Sequence, residues 1–404
     1  MSKIRYVVLL VAVFLVACGR SDEAGAGPGA QPPPNASELS ASGGAWQEAA
    51  RSAIERGATH LSGLAKDGKW AFKAEYGPDL GSTALATRAL LLSPGTDPAP
   101  LAPALEWLAA NQQPDGGIYD PKMGVMTYVT AASVLALKAS GNAKYAPVMR
   151  RCAVYLAKIQ ADEGEGFDES SENYGGIGYG SKRQFTNMST TQFAVEAVDA
   201  AGLEKDHAFY NKALRFLSRS QNRSESNDLP AREVGGASVV PGNDGGAFYR
   251  PGESKAGVRE LGDGRTVFRS YGSMTYSLLK SYLLCDMDAR DERVKAALAW
   301  MGKNFELEWN PGMEHDTGNG PEARYQGLYY YYLSLGRCLA VAEAQKVQLP
   351  DALKGWREQL ARAIVKRQRE DGAWVNHVTR WYEGNPTIST SYALIALQEC
   401  LGQD

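Results

Sequence analysis

Apolar positions along this chain recur at three- and four-residue intervals, in stretches broken by short glycine-rich turns. In one stretch Leu101, Leu105, Trp107 and Leu108 repeat with alanines among them; in the next, Ala131, Val134, Leu135 and Leu137 do the same. That spacing marks helices, and strand-like alternation is scarce. The helix–turn–helix unit returns six times. Its clearest copies read Leu105-Glu-Trp-Leu-Ala-Ala-Asn-Gln-Gln-Pro-Asp115-Gly-Gly-Ile and Ala363-Ile-Val-Lys-Arg-Gln368-Arg-Glu-Asp371-Gly-Ala-Trp374. Each unit can bury its apolar faces only against its neighbours, so the repeat predicts an all-α array of six helical hairpins.

The spacing predicts outer helices over 46–64, 101–112, 148–160, 210–221, 294–305 and 353–369. Inner helices are expected over 81–92, 127–139, 188–200, 271–284, 325–341 and 388–401. Between them lie the turns Asp67-Gly68, Asp115-Gly116-Gly117, Tyr174-Gly175-Gly176, Asp244-Gly245-Gly246 and Asp371-Gly372, with a degenerate fifth at Trp309-Asn310-Pro311-Gly312. Glycine suits the positive φ of a tight turn, and Ser or Thr at the next helix start suits N-capping. The Asp-Gly element is therefore read as a structural device. Asp371 and the aromatic Trp374 after it are expected to serve packing.

The first residues read differently. Lys3 and Arg5 precede the apolar run Val7 to Ala17, a pattern of secretory signals and short for a bilayer span. The run ends Leu15-Val16-Ala17-Cys18, which resembles the lipobox of bacterial lipoproteins. The resemblance implies a signal peptide over 1–17, lipidation at Cys18 and anchorage to a membrane. Gly19 rather than Asp follows, which fits sorting to the outer membrane, on its periplasmic or surface side. Residues 18–44, with Gly-Ala-Gly-Pro-Gly-Ala-Gln-Pro-Pro-Pro-Asn, hold little that could build a core and are expected to be a flexible tether. Residues 45–404 then form one repeat domain.

Charge narrows the partners. The formal net charge is −3, or −5 once Lys3 and Arg5 leave with the signal, so no basic field for nucleic acid exists. Cys152, Cys285, Cys338 and Cys400 are widely spaced with no Cys-x-x-Cys, and read as small buried apolar residues; export permits disulfides, but the sequence does not pair these four. The four histidines, His60, His207, His315 and His377, do not pair with another His or Cys at short spacing. Neither a metal site nor a cofactor is expected.

Gln-x-x-Asp-Gly-Gly or Gln-x-x-Asp-Gly-x-Trp after an apolar helix, then Ser/Thr-x-x-Ala-x-x-Ala-Leu, resembles the repeat of squalene–hopene cyclases and protein prenyltransferase β subunits. The resemblance is clear in the second and sixth units and poor in the fifth, and it implies an (α/α)6 toroid. It does not bring the chemistry with it. Such cyclases protonate substrate with an Asp of Asp-x-Asp-Asp-Thr-Ala at an inner-helix start. The comparable stretches here are Gly81-Ser-Thr-Ala, Met188-Ser-Thr-Thr-Gln-Phe-Ala and Ile388-Ser-Thr-Ser-Tyr-Ala, with hydroxyls where the acid is needed. Asp286-Met287-Asp288 falls after an inner helix, on the wrong rim. The prenyltransferase zinc ligands are missing at the starts near Tyr271 and Tyr325. The Gly-Cys-Gly-Glu-Gln of the α-macroglobulin thioester domain is absent.

The remaining candidates cluster where inner helices begin. Glu306 to Arg324 gathers His315, Asp316 and Arg324, with His315–Asp316 a possible acid–base pair and Glu314 or Glu322 alternative partners. Tyr325, Tyr329 and Tyr332 share a helix face, and with Tyr271, Tyr276 and Tyr392 could line a cavity, as could His377 and Trp381. The loop Asn222 to Arg269 opens onto the same rim. Two readings follow. One is an envelope lipoprotein binding a glycan or lipid, or serving as a scaffold. The other is an exported enzyme, a lyase or hydrolase on polysaccharide or a divergent isoprenoid-processing enzyme.

Overall fold

The computed structural model describes residues 44–180 and 185–402. The signal, Cys18 and nearly all of the tether lie outside the described residues. Odd-numbered helices are the outer members of the pairs: α1 (Ala45–Gly63), α3 (Ala102–Ala110), α5 (Ala146–Lys158), α7 (Ala208–Arg219), α9 (Glu292–Lys303) and α11 (Trp356–Val365). Even-numbered helices are inner: α2 (Leu80–Leu92), α4 (Met126–Ala139), α6 (Met188–Ala200), α8 (Gly272–Leu284), α10 (Leu328–Ala344) and α12 (Pro386–Leu401). Inner helices pack in the order α2, α4, α6, α8, α10, α12, and α12 packs back on α2. Outer helix α1 packs on α11 and α12 as well as on α2.

The two layers differ in chemistry. An outer helix such as α7 buries one stripe, Phe209, Tyr210, Ala213, Phe216 and Leu217. Inner helix α8 is buried on every side. A helix enclosed all round loses its apolar period, and any polar side chain on it must find an internal partner.

The repeated signature residues have a mechanical explanation. In four units the side-chain amide of the Gln before the turn donates twice. One bond goes to a carbonyl of its own turn and one to a carbonyl of the next outer helix or its cap. Gln112 reaches Gly116 and Val148, Gln160 reaches Gly175 and Phe209, Gln221 reaches Gly245 and Arg293, and Gln368 reaches Gly372 and Ala53, all at 2.8–3.0 Å. The last bond joins the sixth unit to the first. The turn glycine must come close to make this seam: a Cβ on Gly372, whose φ is +83°, would stand 2.6 Å from the Arg56 carbonyl oxygen.

A second latch ties each turn to its own inner helix. Thr83, Thr130, Thr191, Thr275 and Thr390 each accept, through the hydroxyl, the backbone N–H of Trp70, Ile118, Ile177, Ala247 or Trp374, at 3.0–3.1 Å. The fifth unit has no such threonine, in keeping with its degenerate sequence. Trp70 and Trp374 are buried, and their indole N–H groups donate to Leu61 and Ile364 of the preceding helix.

The stretch 222–269 departs from expectation. It carries strands β1 (Arg232–Val234), β2 (Ala237–Val240), β3 (Val258–Glu260) and β4 (Thr266–Phe268) in one sheet of order β1-β2-β4-β3, with β2 and β4 parallel. Strands of three or four residues are too short for alternation to show in the sequence. A small core of Val239, Phe248 and Phe268 lies beneath them. The four described cysteines are free and buried. No helix among the described residues is long and apolar enough to cross a membrane.

Candidate functional site

Counting from the latch threonines, the residues at −2, +2 and +5 fall on one face, as i, i+4 and i+7 must; on α10, which lacks the threonine, the same spacing joins Tyr330, Ser334 and Arg337. The upper layer of that face holds Tyr128, Ser189 and Tyr330; the middle layer Leu85, Ala132, Phe193 and Tyr392; the lower layer Arg88, Glu196, Lys280 and Arg337. Interactions between helices that are not neighbours show that these faces converge. The Ser189 hydroxyl on α6 lies 3.0 Å from the Tyr330 hydroxyl on α10, and the Tyr128 hydroxyl donates to Ser189 at 2.8 Å. Phe193 packs between Tyr128 and Tyr330, and Tyr330 packs against Tyr392.

Below the aromatics sits a buried ionic cluster. Glu196 accepts from Arg88 of α2 at 3.0 Å and from Arg337 of α10 at 3.2 Å through one oxygen, and from the Lys280 ammonium of α8 through the other. Arg337 also donates to Glu399 of α12 at 2.5 Å. Burial opposes ionisation of Glu196, but the surrounding Lys280, Arg337 and Arg88 charges prevail and hold its carboxyl well below the usual range. Burial pushes Lys280 down despite Glu196, and Arg88 likewise. Arg337, between two carboxylates, is pushed up against its own burial. These directions differ because the cluster contains three cations and two carboxylates.

The interior is not uniformly filled. Ser277 and Ser334, on α8 and α10, are buried, whereas Leu85, Tyr128, Ala132, Tyr330 and Tyr392 keep accessible surface. That retained surface lies on the shared face of α2, α4, α10 and α12. Arg337 on the same face keeps 23% of its side chain accessible. A separate open groove of about 400 Å³ lies on the outer wall at the seam of the first and last units, lined by Arg56, His60 and Asp371; none of these inward-facing residues is part of it.

The rim residues expected from the sequence are mostly paired with one another. The Asp316 carboxylate takes a hydrogen bond from Arg380 at 3.1 Å rather than partnering His315, whose nearest carboxylate is Glu314 at 3.6 Å. Adjacent side chains point apart on this short helical turn, so the acid–base pair does not form. His377 Nε2 lies 2.8 Å from Glu322, its ring against Tyr325. Arg324 covers the rings of Trp309 and Tyr325, and its Nε is buried without a hydrogen-bond partner. Trp381 packs on Arg380 and takes a left-handed backbone at φ 57°, followed by Tyr382 at φ 67°.

Tyr271 caps the start of α8 with its ring deeply buried. Tyr329 packs edge-on to Tyr332, whose hydroxyl donates to the Leu307 carbonyl, so that pair faces an outer-helix connection. On α10 the inward tyrosine is Tyr330, one residue along.

Glu383 escaped the sequence reading. It is buried, accepts the Tyr330 backbone N–H at 2.7 Å at the first turn of α10, and accepts Asn376 Nδ2 at 2.7 Å. Burial raises its carboxyl to about 7, with these donors and the Tyr329 and Leu328 amides opposing. The folded chain therefore binds a proton that the unfolded chain, titrating near 4.5, has released. Glu383 then stabilises the fold most below pH 4.5, and that contribution falls as pH rises to 7. Replacing it with Gln should flatten the fall, on the order of 2–3 kcal/mol, in denaturant midpoints measured across that interval. An unchanged pH slope would show that Glu383 is ionised throughout.

Comparison with known proteins agrees with this architecture. Residues 77–236 match the family model of the squalene-hopene cyclase C-terminal domain. No curated protein matches the chain. Among solved structures, the type II terpene cyclase MstE from Scytonema is similar in three states. The complex with the substrate geranylgeranyl dihydroxybenzoate is 12% identical with a TM-score of 0.55. The ligand-free enzyme is 13% identical with a TM-score of 0.54. The complex with the product merosterolic acid A is 13% identical with a TM-score of 0.52. Each alignment covers 89% of this chain and 99% of the other. Family model and structures together identify the fold as that of the squalene–hopene-cyclase-like terpenoid cyclases.

Proposed function

We propose that this chain is a lipid-anchored protein of the bacterial cell envelope whose six hairpins form a closed toroid that binds a ligand in its lumen without cyclising it. The observation that carries the reading is the use made of the inner-helix starts. Where the resembling cyclases carry their acid, this chain carries threonines, and each latches a turn. Closure is supported by the packing of α12 on α2 and by the Gln368–Ala53 bond. The aromatic walls suit an apolar or ring-shaped ligand body.

One observation favours a second reading, an exported isoprenoid-processing enzyme: Glu383 combines burial, a carboxyl titrating near 7 and a bond to the Tyr330 backbone beside the lumen. Incubation with a geranylgeranyl-bearing phenol and mass spectrometry of the products separates the two. The substrate should return unchanged. A cyclised product, lost in Glu383→Gln, would establish the enzyme instead. The anchor has its own check: the wild type should fractionate with membranes and Cys18→Ala should not, and equal partitioning would remove the envelope assignment.

A further inference from the structure

We propose that the axial ionic cluster is an anion site, and that the ligand of the lumen is an amphipathic carboxylate whose head group lies between Arg337, Arg88 and Lys280. The inference rests on the ligand-binding reading and names the ligand class for it.

The charge count comes first. Arg88, Lys280 and Arg337 face Glu196 and Glu399, so with all five ionised one positive charge is left over in this part of the interior. A charge in that setting costs several kcal/mol unless it is matched. Hydrogen bonding gives an independent count. Among the described residues Arg88 donates to Glu196 through Nη2 alone, which leaves Nε and Nη1 without an acceptor. Arg337 uses Nε and Nη1, which leaves Nη2. Lys280 makes one bond, to Glu196, with two further N–H groups unused. None of these guanidinium nitrogens is among the buried unpartnered atoms, so each touches open space that an acceptor could fill.

Position supplies the third observation. Arg337 keeps accessible surface, and further along the same face are the small side chain of Ala132 and the partly accessible Tyr128 and Tyr392. A carboxylate at the cluster would balance the leftover charge and accept from the spare guanidinium donors. Such charge-assisted bonds are stronger than neutral ones, and a guanidinium fork fits a carboxylate. The alkyl or ring body would then run upward along Leu85, Ala132 and Tyr392. The competing arrangement is a neutral Lys280, which also balances the charge but gives an anion no advantage.

Thermal unfolding of the mature protein with acetate, octanoate or octanol separates these arrangements. Octanoate should raise the melting temperature by several degrees more than either acetate or octanol. Arg337→Gln should erase the difference between octanoate and octanol. Should that variant fold poorly, Ala132→Phe leaves every charge in place and should abolish octanoate binding by filling the lumen. With carboxyl-labelled octanoate, the bound carbon resonance should titrate below its value in water. Equal stabilisation by octanoate and octanol overturns the anion site while leaving a ligand-binding lumen. No response to any of the three overturns both.

Discussion

Replacing Glu196 with Gln should cost about 3–5 kcal/mol, most of the stability margin of an ordinary domain. The carboxylate meets Arg88, Lys280 and Arg337 at once, and it, Arg88 and Lys280 are buried. Without it, three cations share Glu399. The expected readout is a large drop in denaturant midpoint or loss of soluble protein. A Glu196→Gln, Lys280→Met double variant should recover part of the loss, because it removes one of the stranded cations. The pH dependence has a definite sign. Since the folded carboxyl titrates below its ordinary 4.5, its contribution is present above that pH and disappears as pH falls through the lowered value. A single variant with the wild-type midpoint would mean the cluster is solvated.

Trp374→Ala should cost a comparable amount, about 3–5 kcal/mol. The indole is fully buried, its N–H satisfies the Ile364 carbonyl, and its ring touches Gly57 of α1 closely enough that a Cβ there would stand 2.5 Å away. One side chain thus closes the sixth unit on itself and on the first. Trp70→Ala removes the same type of contact from the first unit, where Leu61 is the acceptor. Loss of stability in both variants, read as a fall in melting temperature, is the expected result. An unaffected Trp374→Ala would place that residue outside the core.

Much of the fold was legible in the sequence because the repeat writes one solution six times. Where they occur, the Gln, Gly and Thr of a unit serve backbone groups at fixed places, so their spacing is strict; α6, Met188–Ala200, falls where the apolar period puts it. The inward face was less legible. Inner helices carry apolar or small side chains on nearly every side, so no period tells the wall of a neighbour from the axis, and Tyr329 and Tyr330 look alike in the chain. The axial charges did carry a signal: Arg88, Glu196, Lys280 and Arg337 interrupt helices built mostly from apolar, hydroxyl and tyrosine side chains. Weighed one helix at a time, each resembles a stray surface charge. Only the ion pairs across helices show that they share a layer. Glu383 sits in a loop without helical period, and its burial depends on the α10 N-terminus approaching from a distant part of the chain.

The bond from Gln368 to Ala53 spans 315 residues. A chain crossing a membrane from its N-terminus would deliver α1 first and the helices that cover it, α11 and α12, last. Until they arrive, the apolar stripe of α1, Ala50, Ala53, Ile54 and Leu61, has only one side of its final surroundings. Contacts so distant in sequence form slowly, since the loop they close is the whole domain. Under the envelope reading proposed above, biogenesis is thus a waiting problem: the first helix must be kept from wrong partners until the sixth unit arrives.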